Sequence, residues 1–417
     1  MRPIASHDVI VIGGGASGMM AAGRAAELGA RVLLLEKNAE LGVKLSMTGG
    51  GRCNITNAEE DERLFAAKYG ASGEFLHSAF AQFGVRDTFS FCEARGLPLI
   101  VEAHKRAFPA TERASDVAQM LARYLAKGRV EVRTGVAVER LVMAAGRVEG
   151  VETSAGVFSA RAYILATGGV SHPETGSTGD GYAWLRAAGH TVEKPTPTLV
   201  PLTVREGWAK KLSGVSLEAM KITFCVDGVK KFSRSGPLLF THFGISGPTI
   251  LNSAGKVKGL LIEGIVTALV DLFPGVDQGA LDKRVTELFD ANKNKLIKNV
   301  LKDVVPPGLS EALLALAKVD PETKVHSVTR DERKRLVDTA KRLPLTVTGL
   351  MSLDRAIVAD GGLPLDEVDT RTMRSRRVQN LFVTGDLLHI SRPSGGYSLQ
   401  LCWTTGYVAG TNAVSTS

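Results

Sequence analysis

The chain has 417 residues, which at roughly 150 residues per domain is room for two or three domains with a sizeable core. Apolar residues make up 44% and charged residues 23%, excluding disordered and collagen-like chains, and four scattered cysteines without a CxxC pair exclude a disulfide scaffold or zinc site and point to a reducing, cytoplasmic setting. The net charge is +8, and Thr191 to Leu345 carries most of it, with 24 Lys and Arg against 17 Asp and Glu, scattered as on a solvated surface while leaving an acidic partner open.

The N-terminus passes from Arg2 through His7 and Asp8 into the run DVIVI, without the order of regions of a signal peptide. Asp8 to Ile12 reads as a strand, Gly13 to Gly18 as a tight turn, the run to Leu28 as a helix closed by Gly29, and Arg31 to Leu35 as a second strand. Within this βαβ opening Gly13-Gly14-Gly15-Ala16-Ser17-Gly18 fits GxGxxG between strand and helix, the context in which that spacing has a mechanism. Gly13 permits the turn, Gly15 lets a pyrophosphate approach the backbone, Gly18 lets helix and strand pack, and the helix start supplies free N–H groups. Glu36, followed by Lys37, ends the second strand where an acidic side chain can accept from an adenosine ribose. A dinucleotide site is the expectation.

Further on, Lys44 and the run Thr48-Gly49-Gly50-Gly51-Arg52-Cys53-Asn54 offer backbone N–H groups and a guanidinium suited to a pyrophosphate or the polar edge of a ring. Cys53 has no partner at redox spacing and reads as structural. Between Val130 and Ala166 short β-branched runs broken by Gly146 and Gly156 predict an antiparallel meander feeding a buried strand. That strand runs through Tyr163 into Thr167-Gly168-Gly169, and a helix follows from Gly181 to Ala188.

From Thr191 the character shifts. Pro195, Pro197 and Pro201 precede alternating strands with an Asp227-Gly228 hairpin signal, which predicts an inserted β-rich domain over 191–275. The most apolar stretch, Gly259 to Phe273, contains Glu263 and Asp271 and is too short to span a bilayer, so no membrane partner is expected. Over 276–345 the period turns helical, with a segment at Ser310 to Lys318, a Pro306-Pro307 break and a capping box at Thr329 and Glu332. Strands resume near Leu345, and the apolar run Asn380 to Thr384 ends in Gly385-Asp386. The ends of two such buried strands open near one crevice in a doubly wound sheet, which suits a long cofactor. Asp386 can accept from the ribityl chain of a flavin, and Gly395-Gly396 can admit a flavin edge, with Tyr397 beside it or in the core.

On these strings the chain resembles FAD-containing flavoproteins of the glutathione-reductase type, and more closely the bacterial BaiN/YhiN-like family of NAD(P)/FAD-dependent or aminoacetone-oxidase-like oxidoreductases. The specific segments are KLSMTGGGRCNITN from Lys44, TGSTGDGY from Thr175, FTHFGISGP from Phe240, and Gly385 to Gln400. The resemblance implies an α/β fold: a Rossmann-like FAD-binding domain, 1–190 and 346–417, interrupted by a β-barrel-like domain and a small helical subdomain. His389 stands where the family usually has an acidic residue, and Ser398 replaces the usual Asn after GGY.

The expected cofactor-binding set is Gly13, Gly15, Ala16, Ser17, Gly18, Glu36, Lys37, Lys44, Arg52, Cys53, Asn54, Val136, Thr167, Gly168, Gly385, Asp386, Gly395, Gly396 and Tyr397. His242, in FTHFGISGP, either moves protons or stabilises its turn, and Tyr397 is the other catalytic candidate. Thr191 to Leu345 holds no second strand–GxGxxG–helix unit, so NAD(P)H can act only as a transient electron donor from an open cleft. The expectation is an FAD oxidoreductase transferring hydride to or from a small organic molecule, with NAD(P)H or oxygen as redox partner. A nucleic-acid-modifying flavoprotein or a flavin sensor without turnover are the alternatives; the first is disfavoured because the insert lacks an Arg-rich stripe with interleaved aromatics.

Overall fold

The architecture comes from a computed structural model that describes residues 7–305, 308–352, 356 and 358–415; Arg2 and the Pro306-Pro307 break lie outside them. The chain divides into two compact units, 1–197 with 353–417, and 198–352.

The first unit is built on a seven-stranded sheet. Its centre is β1 (His7–Ile12), paired in parallel with β2 (Val32–Leu35) on one side and with Ala160–Leu165 on the other. Leu381–Val383 extends the parallel run beyond Ala160–Leu165, and two short antiparallel strands, Arg374–Ser375 and Val368–Asp369, finish that edge. The central strands are apolar on both faces because both are covered: Val9, Ile10, Val11, Leu33, Leu34 and Ile164 are fully buried, and the meander strand Arg147–Thr153 also packs against Ala160–Leu165. On one face α1 (Ala16–Glu27) packs against the last helix, Tyr397–Ala413. Gly406 and Gly410, one turn apart, allow this approach, since a Cβ on either would lie 2.4 Å from a backbone oxygen of α1, that of Ser17 or Ala21.

Two details differ from the sequence reading. Glu131–Arg133 joins the parallel sheet beside β2, and the antiparallel meander consists of Val138–Ala144, Arg147–Thr153 and Gly156–Phe158. The proline-rich stretch Glu193–Thr198 pairs with Val358–Gly362, so the first unit runs past the expected boundary at 190.

The second unit is a closed antiparallel barrel in the order Leu202–Val204, Gly244–Ser246, Val229–Thr241, Ser216–Val226, Val266–Asp271, Leu343–Leu350. Asp227 and Gly228, both with positive φ, make the two-residue turn between Ser216–Val226 and Val229–Thr241. The helices Gln278–Ala291, Ile297–Leu301, Leu309–Ala317 and Arg330–Lys341 are inserted between the last two barrel strands. An Arg333–Asp282 ion pair at 2.8 Å ties the first of these helices to the last, and Thr329 and Glu332 form the capping box. Because Leu343–Leu350 pairs with both Val266–Asp271 and Leu202–Val204, it closes the barrel, and the chain re-enters the first unit after Ser352 rather than at 346. The helices cluster with the barrel in one unit.

Candidate cofactor site

A groove opens at the carboxyl ends of β1, β2 and Ala160–Leu165, all within the first unit. The turn after β1 is shaped by steric necessity. A Cβ on Gly13 would sit 2.4 Å from the Ala166 carbonyl oxygen, and one on Gly18 would sit 1.9 Å from that of Gly13. Gly15 differs: nothing lies within 4 Å of its Cβ position, so the backbone there faces open space at the start of α1. Helix N–H groups and the positive end of the dipole meet at that point, the arrangement that binds a pyrophosphate.

Glu36 is buried at the end of β2, and both carboxylate oxygens are engaged. The Gly14 N–H donates to Oε2 at 2.6 Å and the Asn38 N–H to Oε1 at 2.8 Å. Glu36 therefore shapes the glycine turn as well as presenting acceptors to the groove. Lys37 Nζ donates to Thr178 Oγ1 at 2.5 Å and pairs with Asp180 at 2.8 Å. Burial raises the Asp180 pKa, but Lys37 and Thr178 outweigh it and hold the carboxyl below its ordinary value.

At the other end of the groove Asp386 lies in the short turn after Leu381–Val383, where Gly385 adopts φ 63° and its N–H donates to Thr405 Oγ1. Arg392 binds one Asp386 oxygen, and Lys44 Nζ lies 3.6 Å from the other. Burial alone would raise the carboxyl pKa; the two cations override it and keep Asp386 ionised. Arg392 is itself buried and further fixed by Ser398 Oγ at 3.1 Å and the Ile390 carbonyl at 2.6 Å.

Of the expected residues, Gly13, Gly15, Ala16, Ser17, Glu36, Lys37, Lys44, Val136, Thr167, Gly168 and Asp386 line this groove. Gly18 packs behind the turn, and Gly385 shapes the turn that carries Asp386. Arg52, Cys53 and Asn54 lie outside the lining. The Arg52 guanidinium pairs with Glu102 and Glu112 over the Phe108 ring, so its charge is already compensated. Cys53 is fully buried, and burial pushes its thiol up to about 12. Asn54 approaches the Gly396 N–H, and a Cβ on Gly396 would sit 2.2 Å from the Thr56 backbone. Gly395 accepts from Asn57 at 3.2 Å. The Tyr397 ring packs 5.1 Å from Phe65, and burial, aided by Glu59, pushes its phenol up to about 12. His242 is exposed on the second unit, in the turn between Val229–Thr241 and Gly244–Ser246, against Phe243.

Sequence reasoning missed Asn38, Ser177, Asp180, Trp184 and Cys402 on the lining and Arg392 beneath it. For Asp180 a signal existed in TGSTGDGY, read there only as a resemblance.

The HI0933-like protein Rossmann domain matches residues 7–412. The chain belongs to that family. Among its relatives, a 3-dehydro-bile acid delta(4,6)-reductase of Clostridium scindens is 32% identical over 404 residues, covering 96% of this chain and 97% of the relative. A ribosomal RNA dihydrouridine synthase of Escherichia coli is 26% identical over 411 residues, covering 98% of each. The fold is similar to the open form of a flavocytochrome c3 fumarate reductase (TM-score 0.56, 15% identity, 99% of this chain and 79% of that one). It is equally similar to 3-ketosteroid delta1-dehydrogenase from Sterolibacterium denitrificans (TM-score 0.56, 13% identity, 99% and 100%). This is a family of FAD-dependent oxidoreductases.

The groove fits FAD on its own chemistry. It combines an open Cβ position at Gly15 with the buried Thr167 hydroxyl, which has no partner among the described residues. Among the described residues no cluster of His, Cys, Asp or Glu could hold a metal, and no helix is long and apolar enough to cross a membrane.

Proposed function

We propose that the chain reduces a carbon–carbon double bond conjugated with a carbonyl in a small organic molecule. The observation that carries this reading is the chemistry shared by its relatives' names. A delta(4,6)-reductase of a 3-dehydro-bile acid saturates double bonds conjugated with a ketone, and a dihydrouridine synthase saturates the uracil double bond next to its carbonyl. In the proposed reaction a hydride goes to the carbon remote from the carbonyl and a proton to its neighbour. Bound FAD supplies the two-electron hydride chemistry.

The protein's own contribution is to hold and orient. The α1 N-terminus and Gly15 receive the pyrophosphate, Glu36 offers acceptors to the ribose, and Asp386, kept ionised by Arg392 and Lys44, offers acceptors to the ribityl chain. His242 is the candidate proton donor on the second unit. NAD(P)H is the proposed electron source. Its binding is weak, because the described residues of the second unit form a barrel and helices in place of a second dinucleotide fold.

A second reading, uracil within RNA as the substrate, is favoured by the 24 Lys and Arg against 17 Asp and Glu between Thr191 and Leu345. Anaerobic mixing of the reduced protein with a 3-oxo-4-ene steroid and, separately, with unmodified ribosomal RNA separates the two. Reoxidation of the flavin by the steroid supports the first, and dihydrouridine formed only in RNA supports the second.

A further inference from the structure

Among the described residues, four large apolar side chains are at least 60% exposed: Ile262 at 86%, Val229 at 64%, Val157 at 63% and Ile265 at 60%. Three of these four, Ile262 with its near neighbour Ile265 and Val229 33 residues before Ile262, lie at one end of the barrel in the second unit. Val226 pairs with Val229 across the hairpin and with Val266 on its other side, next to Ile265. The Asp227 N–H donates to the Ile265 carbonyl, and the Ile265 N–H donates back to Asp227 Oδ1 at 3.1 Å. Ile262 is in the last turn of the helix Ala254–Glu263, which Lys231 and Glu263 clamp to the same hairpin at 2.7 Å. That helix buries Ala254, Val257 and Leu260, so Ile262 is on the face turned to water, one turn beyond Lys258.

The charges around this tip are mostly positive. Lys230, Lys256 and Lys258 are exposed, and no described acidic group pairs with them. Of the two acids nearby, Glu263 is taken by Lys231 and Asp227 by the turn.

We infer that this end of the barrel docks on an anionic bilayer surface, with Val229, Ile262 and Ile265 entering the headgroup–acyl boundary and the lysines resting on lipid phosphates. Charge decides among occupants. A second copy would set two cationic patches against each other, and RNA gains nothing from three exposed aliphatic side chains, while Phe232 is already stacked on Phe224 at 4.8 Å with Lys256 Nζ 5.7 Å from its ring centroid. The inference does not depend on which double bond is reduced.

The test is sedimentation of the FAD-loaded protein with phosphatidylcholine vesicles and with phosphatidylcholine–phosphatidylglycerol vesicles. The wild type is expected to pellet with the anionic vesicles alone, and less so in raised salt. A Val229→Ser, Ile262→Ser, Ile265→Ser variant is expected to lose about tenfold or more in partitioning, at several lost apolar carbons. Lys230→Glu with Lys258→Glu loses binding as well, and both variants keep wild-type circular dichroism and FAD content. Three results overturn the inference: no pelleting of the wild type with anionic vesicles, RNA retention that only the lysine variant abolishes in place of vesicle binding, or a dimer that the serine variant dissociates.

Discussion

Glu36→Gln separates the two duties assigned to this residue. In the wild type one carboxylate accepts from two backbone N–H groups, Gly14 at 2.6 Å and Asn38 at 2.8 Å, while buried. Glutamine keeps the shape but turns one oxygen into an NH₂ group, so one of these N–H donors then faces another donor. A hydrogen bond to a charged group is worth about 1.5–3 kcal/mol, and an orphaned buried donor costs a similar amount. The apoprotein should therefore lose about 2 kcal/mol of stability in urea unfolding. FAD affinity should fall by a further factor of about 30, which corresponds to about 2 kcal/mol, as the ribose loses its charged acceptor. Urea unfolding of apoprotein prepared by chaotrope extraction gives the first number, and its titration with FAD, following quenching of flavin fluorescence, gives the second. Glu59→Gln, a partly exposed partner of Lys105, is the control. Equal FAD affinity for Glu36→Gln and wild type would refute the assignment.

Gly15→Val should leave apoprotein stability nearly unchanged, because its Cβ position is open, yet abolish FAD retention; Gly18→Ala should lower both, at about 1–3 kcal/mol for overpacking against the Gly13 oxygen, as read by thermal melts of the two apoproteins. Thr167→Val should be neutral for the apoprotein and weaken FAD by about 1 kcal/mol, since its buried hydroxyl has no partner to lose among the described residues, and calorimetric titration checks this. Glu367 is nearly buried between His190 and Arg377; burial raises its pKa, but Arg377, His190 and Thr191 bring it down from 4.5 to about 2. A depressed folded pKa stabilises above 4.5 and loses that contribution as pH falls from 4.5 towards 2, so the stability gap between wild type and Glu367→Gln should shrink over that window by up to about 3 kcal/mol. Reduction by NADH or NADPH should be slow, weakly saturable and salt-sensitive, and His242→Ala should change turnover more than FAD content, both read by anaerobic stopped-flow absorbance.

The parts of this molecule legible in the sequence are those whose constraint is local. Gly18 is required by the Gly13 carbonyl five residues earlier, the Asp227-Gly228 turn by its positive φ values, and the Thr329–Glu332 box by helix-end N–H groups. What escaped depends on partners remote in sequence. The strand Leu343–Leu350 closes the barrel by pairing with Leu202–Val204, and neither segment carries a mark of the other, so the domain boundary fell short. Arg52 looked available beside three glycines because nothing local announces Glu102 and Glu112. Arg392 passed unnoticed for the opposite reason: its role follows from the folded turn that brings it onto Asp386, not from any spacing.

The measurement that bears most directly on the central claim is anaerobic mixing of the photoreduced protein with a 3-oxo-4-ene steroid, following flavin absorbance and the mass of the product. Saturable reoxidation, with a product two hydrogens heavier and FAD as the released cofactor, is the predicted result. Reoxidation by oxygen or quinones, with none by the steroid, by other conjugated ketones or by uracil in RNA, would contradict it.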